Sequence, residues 1–265
     1  MPEEQENSFA VLRNRFVLLG ASNLTLSLRL IVELMQQSVG TPAEVFAAVG
    51  HGRAYGVASQ MLLRGLPGIA DCGLWRQLAV MPVRPVYAVI TDIGNDILYG
   101  LAPEQILRAV EWCIMQLQRQ PAQIVVTDLP MRSIEQLSMQ RYLFFRNLFY
   151  PSCKLTKDEV VRRAHIVHAG LTVLAERMRF ELYEQDPAWF GLDGIHVHYW
   201  RRKAYYGDIL TRFHLPENAG AGNGSRWTGY WHKRPAFAYK TVLGCAVHRP
   251  QPSGRLTSGT LIFKY

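Results

Sequence analysis

Along the first 215 residues, short runs rich in Val, Ile and Phe alternate with longer segments whose apolar positions recur at helical spacing. Arg15 to Leu19 predicts a strand, and Leu24 to Gln37, apolar at Leu24, Leu28, Ile31 and Met35, predicts the helix after it. Glu44 to Val49 predicts a second strand, followed by a Gly-rich turn and a helix near Val57 to Leu63. Val86 to Thr91 is almost continuously apolar, as expected of a strand covered on both faces. Pro103 suits a helix start, and Ile106, Val110, Cys113, Ile114 and Leu117 then form one stripe. Gln123 to Thr127 predicts a fourth strand, Lys157 to Arg179 the longest helix, Phe180 to Tyr183 a fifth strand, and Trp200 to Phe213 a last helix. The alternation predicts a three-layer α/β/α domain with about five parallel strands, whose ligands sit beyond the carboxyl ends of the strands.

After Leu215 the pattern changes. Residues 216 to 225 are rich in Asn, Gly and Ala and read as a linker; beyond them aromatics mix with turn residues and short β-like runs, Thr241 to Val247 and Thr260 to Phe263. The expected organisation is an N-terminal arm over 1–14, a catalytic domain over 15–215, and a basic C-terminal extension over 216–265 that is β-like or irregular.

Charge sharpens that division. The net charge of +8 invites a polyanionic partner, yet residues 216–265 hold seven Lys/Arg against one acid, Glu217, leaving 22 basic and 20 acidic residues in the rest. The excess therefore belongs to the tail, and nucleic acid is not expected as the partner of the domain. With 49% apolar and 19% charged residues, the 265-residue chain has the composition of a globular protein. Met1 to Asn7 carries three glutamates and no apolar run, unlike a signal peptide, and Ser22, Asn23, Arg29 and Glu33 interrupt the most apolar early stretch, so neither export nor a membrane span is expected. Cys72, Cys113, Cys153 and Cys245 are far apart and form no CxxC, which fits reduced thiols in the cytoplasm.

Candidate chemistry lies at the predicted strand ends. Ser22, between the first strand and its helix, sits where free backbone N–H groups and the helix dipole can stabilise an oxyanion, although a serine there also serves as an N-cap. Gly50, His51, Gly52, Arg53, Ala54, Tyr55 and Gly56 follow the second strand, and the glycines allow close approach to a ligand or a plain turn. Asn95, after the third strand, offers an uncharged amide donor. Asp193-Gly194-Ile195-His196 places a carboxylate three residues from an imidazole, suited to an oriented general base.

In this order, Ser22, Gly52, Asn95 and Asp193-x-x-His196, the chain resembles the SGNH hydrolases, also called GDSL esterases and lipases, over roughly Phe16 to Phe213. The resemblance implies a flavodoxin-like fold and no cofactor. It implies Ser22 as nucleophile and His196 with Asp193 as base and orienter. It further implies Gly52, or less readily Gly50, and Asn95 as oxyanion donors beside the Ser22 N–H. The substrate would be a small-molecule, lipid or carbohydrate ester or thioester. Ala21 stands where the family has Asp, Asn23 where Leu is usual, and Ile93-Gly94 where the third block has Gly-x before Asn, which marks a divergent branch.

Other features carry two readings each. His51, Arg53 and Tyr55 are candidates for selecting a polar or anionic substrate group, or a solvated loop. Residues 138 to 153, rich in bulky apolar side chains, form either an acyl-binding wall or lid, or a packed helix. His168 lies on the apolar stripe of the long helix, with His165 beside it, and is expected as a hydrogen-bonded core histidine. Asp193, His196 and His198 do not complete a metal site, and none is expected. The alternative to an esterase is a binding protein on a hydrolase scaffold, whose basic aromatic tail contacts a polyanion or a protein partner.

Overall fold

The computed structural model describes Leu12 and residues 14–215 and 231–265. The linker and the N-terminal arm expected from the sequence lie almost wholly outside these residues.

The first half of the chain runs β1 (Asn14–Leu19), α1 (Ser22–Val39), β2 (Ala43–Ala48), β3 (Ser59–Met61), β4 (Arg64–Leu66), α2 (Leu74–Val80), β5 (Val86–Ile90), α3 (Asn95–Leu98) and α4 (Pro103–Leu117). The second half runs β6 (Ala122–Thr127), α5 (Met131–Gln136), α6 (Met139–Phe149), α7 (Lys157–Met178), β7 (Glu181–Tyr183) and α8 (Arg202–Leu210). Past the linker come β8 (Trp231–Lys233), β9 (Tyr239–Val242), β10 (Cys245–His248), β11 (Gly254–Leu256) and β12 (Leu261–Lys264).

The five anticipated strands pair in parallel in the order β7-β6-β5-β1-β2, which is the flavodoxin-like arrangement. The strand order reverses at β1, between β5 and β2, so a crevice opens beyond the carboxyl ends of β1 and β5. Every residue of β2 and β5 is buried, because helices cover both faces of the sheet. Leu24, Ile31 and Met35 of α1 pack with Tyr205 and Ile209 of α8 on one face. Ile106, Val110 and Ile114 of α4 pack with Ala164, Val167 and Leu171 of α7 on the other.

The C-terminal segment extends this sheet. β12 adds a sixth parallel strand beside β2, and β11 and β8 continue it antiparallel. Phe263 stacks on Phe46 of β2 with ring centroids 4.4 Å apart. The remaining C-terminal strands enter a second sheet, β10-β9-β4-β3.

That second sheet corrects the helix expected at Val57 to Leu63. The segment is a hairpin, and its turn residue Leu62 has a left-handed φ of 54°. The pairing that overrides the local pattern is with β9, where Gly65 lies opposite Thr241. A Cβ on Gly65 would sit 2.3 Å from Thr241 Oγ1, so any side chain there would have to displace the Thr241 hydroxyl.

Far from the strand carboxyl ends, Arg15 and Glu44 face each other across β1 and β2. Their side chains are buried and bonded twice, at 2.9 and 2.7 Å.

Candidate active site

Ser22 is the first residue of α1, and its hydroxyl does not cap the helix. It points instead at His196, with Ser22 Oγ 2.8 Å from His196 Nε2. On the far side of the ring, Nδ1 lies 2.5 Å from Asp193 Oδ2. Asp193 Oδ1 also accepts the backbone N–H groups of Ile195 and His196, at 3.1 and 3.0 Å, so the carboxylate is held by the loop that it organises. With Nδ1 facing a carboxylate, the neutral imidazole carries its proton there, and Nε2 is left to accept from the serine.

Burial alone would lower the pKa of His196. The hydrogen bond and charge of Asp193, with the nearby Asp92 carboxylate, outweigh it and hold the imidazole above the ordinary histidine value. Burial likewise acts to raise Asp193, but its bonds from His196 and from the loop N–H groups prevail and keep it below the usual carboxylate range.

Asn95 opens α3 with its side chain buried, and one amide hydrogen goes to the Arg53 carbonyl at 3.1 Å. The second hydrogen is available to a ligand. Gly52, with a φ of 64°, lines the same cavity as Ser22, Asn95 and His196. A Cβ there would sit 2.5 Å from Met61 Cε. Asp96 secures this loop by accepting the N–H groups of Tyr55 and Gly56 at 2.8 to 2.9 Å, and burial pushes its carboxyl up to about 6.

His51 reaches the cavity, but Arg53 and Tyr55 do not. Both are fully buried, which overturns their reading as substrate selectors. The Arg53 guanidinium is consumed by the carbonyls of Val49, Pro67 and Tyr265. The Tyr55 hydroxyl lies between the carbonyls of Leu19 and Thr91, at 2.9 and 2.8 Å, and so ties the ends of β1 and β5 together.

Two cavities meet at Ser22. One, with about 1070 Å³ of free space partly open to solvent, runs under α5 and α6 among Ile97, Leu129, Leu137, Phe145, Phe149 and Val160. The other, also open to solvent, is walled by His51, Met61, Leu63, Arg64 and Val242. Ser22, Asn95, Ile195, Phe149 and Tyr150 border both, and the Phe149 ring centroid lies 6.0 Å from that of His196. Residues 138–153 contain the helix α6, one side of which borders the cavity. Tyr142 is the buried residue of α6, while Phe144 and Leu148 are exposed and Phe145 and Phe149 face the cavity.

Two positioning residues escaped sequence reading. Asp92, with a left-handed φ of 61°, accepts the N–H groups of Ala21 and Asn23 at 2.8 and 3.2 Å. Asn23 in turn bridges to the histidine loop, bonding the Ile195 carbonyl and the Val197 N–H, each at 2.9 Å. The hint was present in Asn23, polar where Leu is usual in the resembled family, but its pairing with Asp92 and the histidine loop spans distant parts of the chain. A second pair, Asp128 and His168 at 2.5 Å, is also tertiary. His168 is hydrogen-bonded as expected, yet its side chain is 42% exposed, so it is no core residue. His165 pairs with Glu135 at the surface. Among the described residues, no three metal-binding side chains gather, no helix is long and apolar enough to cross a membrane, and the four cysteines are free.

No protein-family model and no curated protein matches the chain. Solved structures do. A carbohydrate acetylesterase family member from Sinorhizobium meliloti aligns at 16% identity and a TM-score of 0.50, over 74% of this chain and 95% of its own. The native aryl esterase of M. smegmatis aligns at 15% identity and a TM-score of 0.50, over 76% of this chain and 100% of its own. The chain shares the fold of these two solved structures, and its C-terminal strands continue the sheet.

Proposed function

We propose that the protein is a serine-dependent ester hydrolase acting through an acyl-enzyme on Ser22. The observation that carries this reading is the continuous line Ser22 Oγ, His196 Nε2, His196 Nδ1, Asp193 Oδ2, with gaps of 2.8 and 2.5 Å. His196 takes the Ser22 proton as the hydroxyl attacks the acyl carbonyl, and Asp193 stabilises the imidazolium. The oxyanion is received by the Ser22 and Gly52 N–H groups and the free Asn95 amide hydrogen. His196 then protonates the departing alkoxide or thiolate, and a water activated by the same ring releases the acid.

The apolar cavity under α6 suits an extended acyl chain, with the leaving group in the cavity beside His51. A labelled fluorophosphonate tests the reading directly. It is expected to modify the wild-type protein at Ser22 and to leave Ser22→Ala unlabelled. Full hydrolysis of a simple aryl ester by Ser22→Ala would overturn it.

A further inference from the structure

The second cavity has a cationic wall. His51 and Arg64 line it, and Lys264 lies close enough to both to repel them. Arg64 is fixed by β4, opposite Val242 of β9, and its guanidinium rests 5.2 Å from the centroid of Phe237. Lys264 Nζ lies 4.2 Å from the same ring. Among the described residues no carboxylate pairs with any of the three, and Arg64 Nε is buried without a hydrogen-bond partner. A half-buried guanidinium with unused donors and cationic neighbours is unfavourable unless an anion completes it.

Burial and like charge act together on this group. Burial, then Arg64, His196 and Lys264, lower the pKa of His51, and burial with Arg64, Lys240 and Arg53 brings Lys264 down to about 8. The other cavity that borders Ser22 is lined by Leu129, Leu137, Phe145 and Val160 together with Arg146, Lys157 and Asp128, so cations on its wall have a carboxylate within the same lining.

We propose that Arg64, backed by Lys264 and flanked by His51, recognises an anionic group on the leaving-group side of the substrate. The preferred ester then joins an apolar acyl chain to an alcohol or thiol that bears a carboxylate or phosphate. This inference rests on the hydrolase reading above and adds the substrate class to it. Arg64 is a specificity residue, not part of the proton-transfer line. The C-terminal segment has a role in it, since Phe237, Val242 and Lys264 all come from there.

The test compares octanoyl esters of 3-hydroxybenzoate, of its neutral methyl ester, and of 3-hydroxyphenyl phosphate, whose reacting ends are alike. The wild type is expected to favour an anionic ester over the neutral one by about tenfold or more in kcat/KM, the scale of a charge-assisted hydrogen bond. The larger of the two gains identifies carboxylate or phosphate as the anion. Arg64→Gln is expected to bring the ratio close to one, Arg64→Lys to leave it intermediate, and added salt to reduce it. Equal rates on charged and neutral esters, or a preference that survives Arg64→Gln, would overturn the inference. Fluorophosphonate labelling of Ser22 separates the two levels. Labelling without anion preference removes this inference alone, whereas absence of both labelling and ester hydrolysis removes the reading beneath it.

Discussion

Asn23 donates to Asp92 Oδ1 across 2.7 Å, and this bond couples the turn that carries Ser22 to the end of β5. The same Asn23 amide holds both sides of His196 through Ile195 and Val197. Replacing it frees three hydrogen-bonded groups at once, on Asp92, Ile195 and Val197, and lets the histidine loop drift from the serine. Asn23→Leu is expected to lower kcat by about 10²-fold, the cost of a misplacement near 1 Å, with little change in KM. An equal loss in KM and none in kcat would show that the bridge does not position the base.

In the proposed mechanism Asn95 serves the oxyanion, while its other amide hydrogen holds the Arg53 carbonyl at 3.1 Å. Asn95→Ala is expected to reduce kcat by about 10²–10³-fold, as for removal of one such donor, while fluorophosphonate still reaches Ser22. Stopped-flow acylation with an aryl ester would show whether the loss lies in the chemical step.

The pH dependence follows from the sign of the shift on His196. The base must be neutral, so kcat/KM rises as the imidazolium loses its proton, with a midpoint above the ordinary 6.5. Asp193→Asn removes the hydrogen bond and charge that raise the pKa most, and leaves Asp92 alone to oppose burial, which lowers it. The midpoint should then move to lower pH while the plateau falls on the order of 10⁴-fold. A pH–rate profile of both forms checks direction and size together.

The cavity under α6 makes a chain-length prediction. Wild-type kcat/KM is expected to increase from acetyl to octanoyl esters, since each buried methylene contributes about 0.8 kcal/mol. Leu137→Trp, which fills the cavity, should shift the optimum to shorter chains and spare acetyl esters. A flat chain-length profile in the wild type would assign the cavity another role.

The Arg15 and Glu44 pair concerns stability. Glu44→Ala leaves a buried guanidinium without its carboxylate, and the loss is expected to be about 3–5 kcal/mol in denaturant unfolding. Because the pair lies at the opposite end of β1 from Ser22, the activity of the folded fraction should be unchanged.

How much of this was legible beforehand differs by element. The parallel strands and long helices were readable because burial on one or two faces imposes a period that any short window reveals, as in Val86 to Ile90 or the stripe from Ile106 to Leu117. Ser22, Asn95, Asp193 and His196 were legible as candidates because strand-end polar residues in a fixed order are rare by accident. The hairpin at Ser59 to Leu66 was not, because Arg64 and Gly65 pair with β9, more than 170 residues away.

By itself, then, the sequence determined the layered α/β architecture and the residue types and order of the site, since both are written in local periodicity and in short blocks. Only the tertiary structure decided that Arg53 and Tyr55 are internal struts and Arg64 is the cation at the cavity. It alone decided that Asn23 and Asp92 brace the serine, and that the basic C-terminal segment continues the central sheet. Each of those facts depends on which distant backbone and side-chain groups meet, and hydrogen-bond partnership across the fold leaves no trace in local spacing.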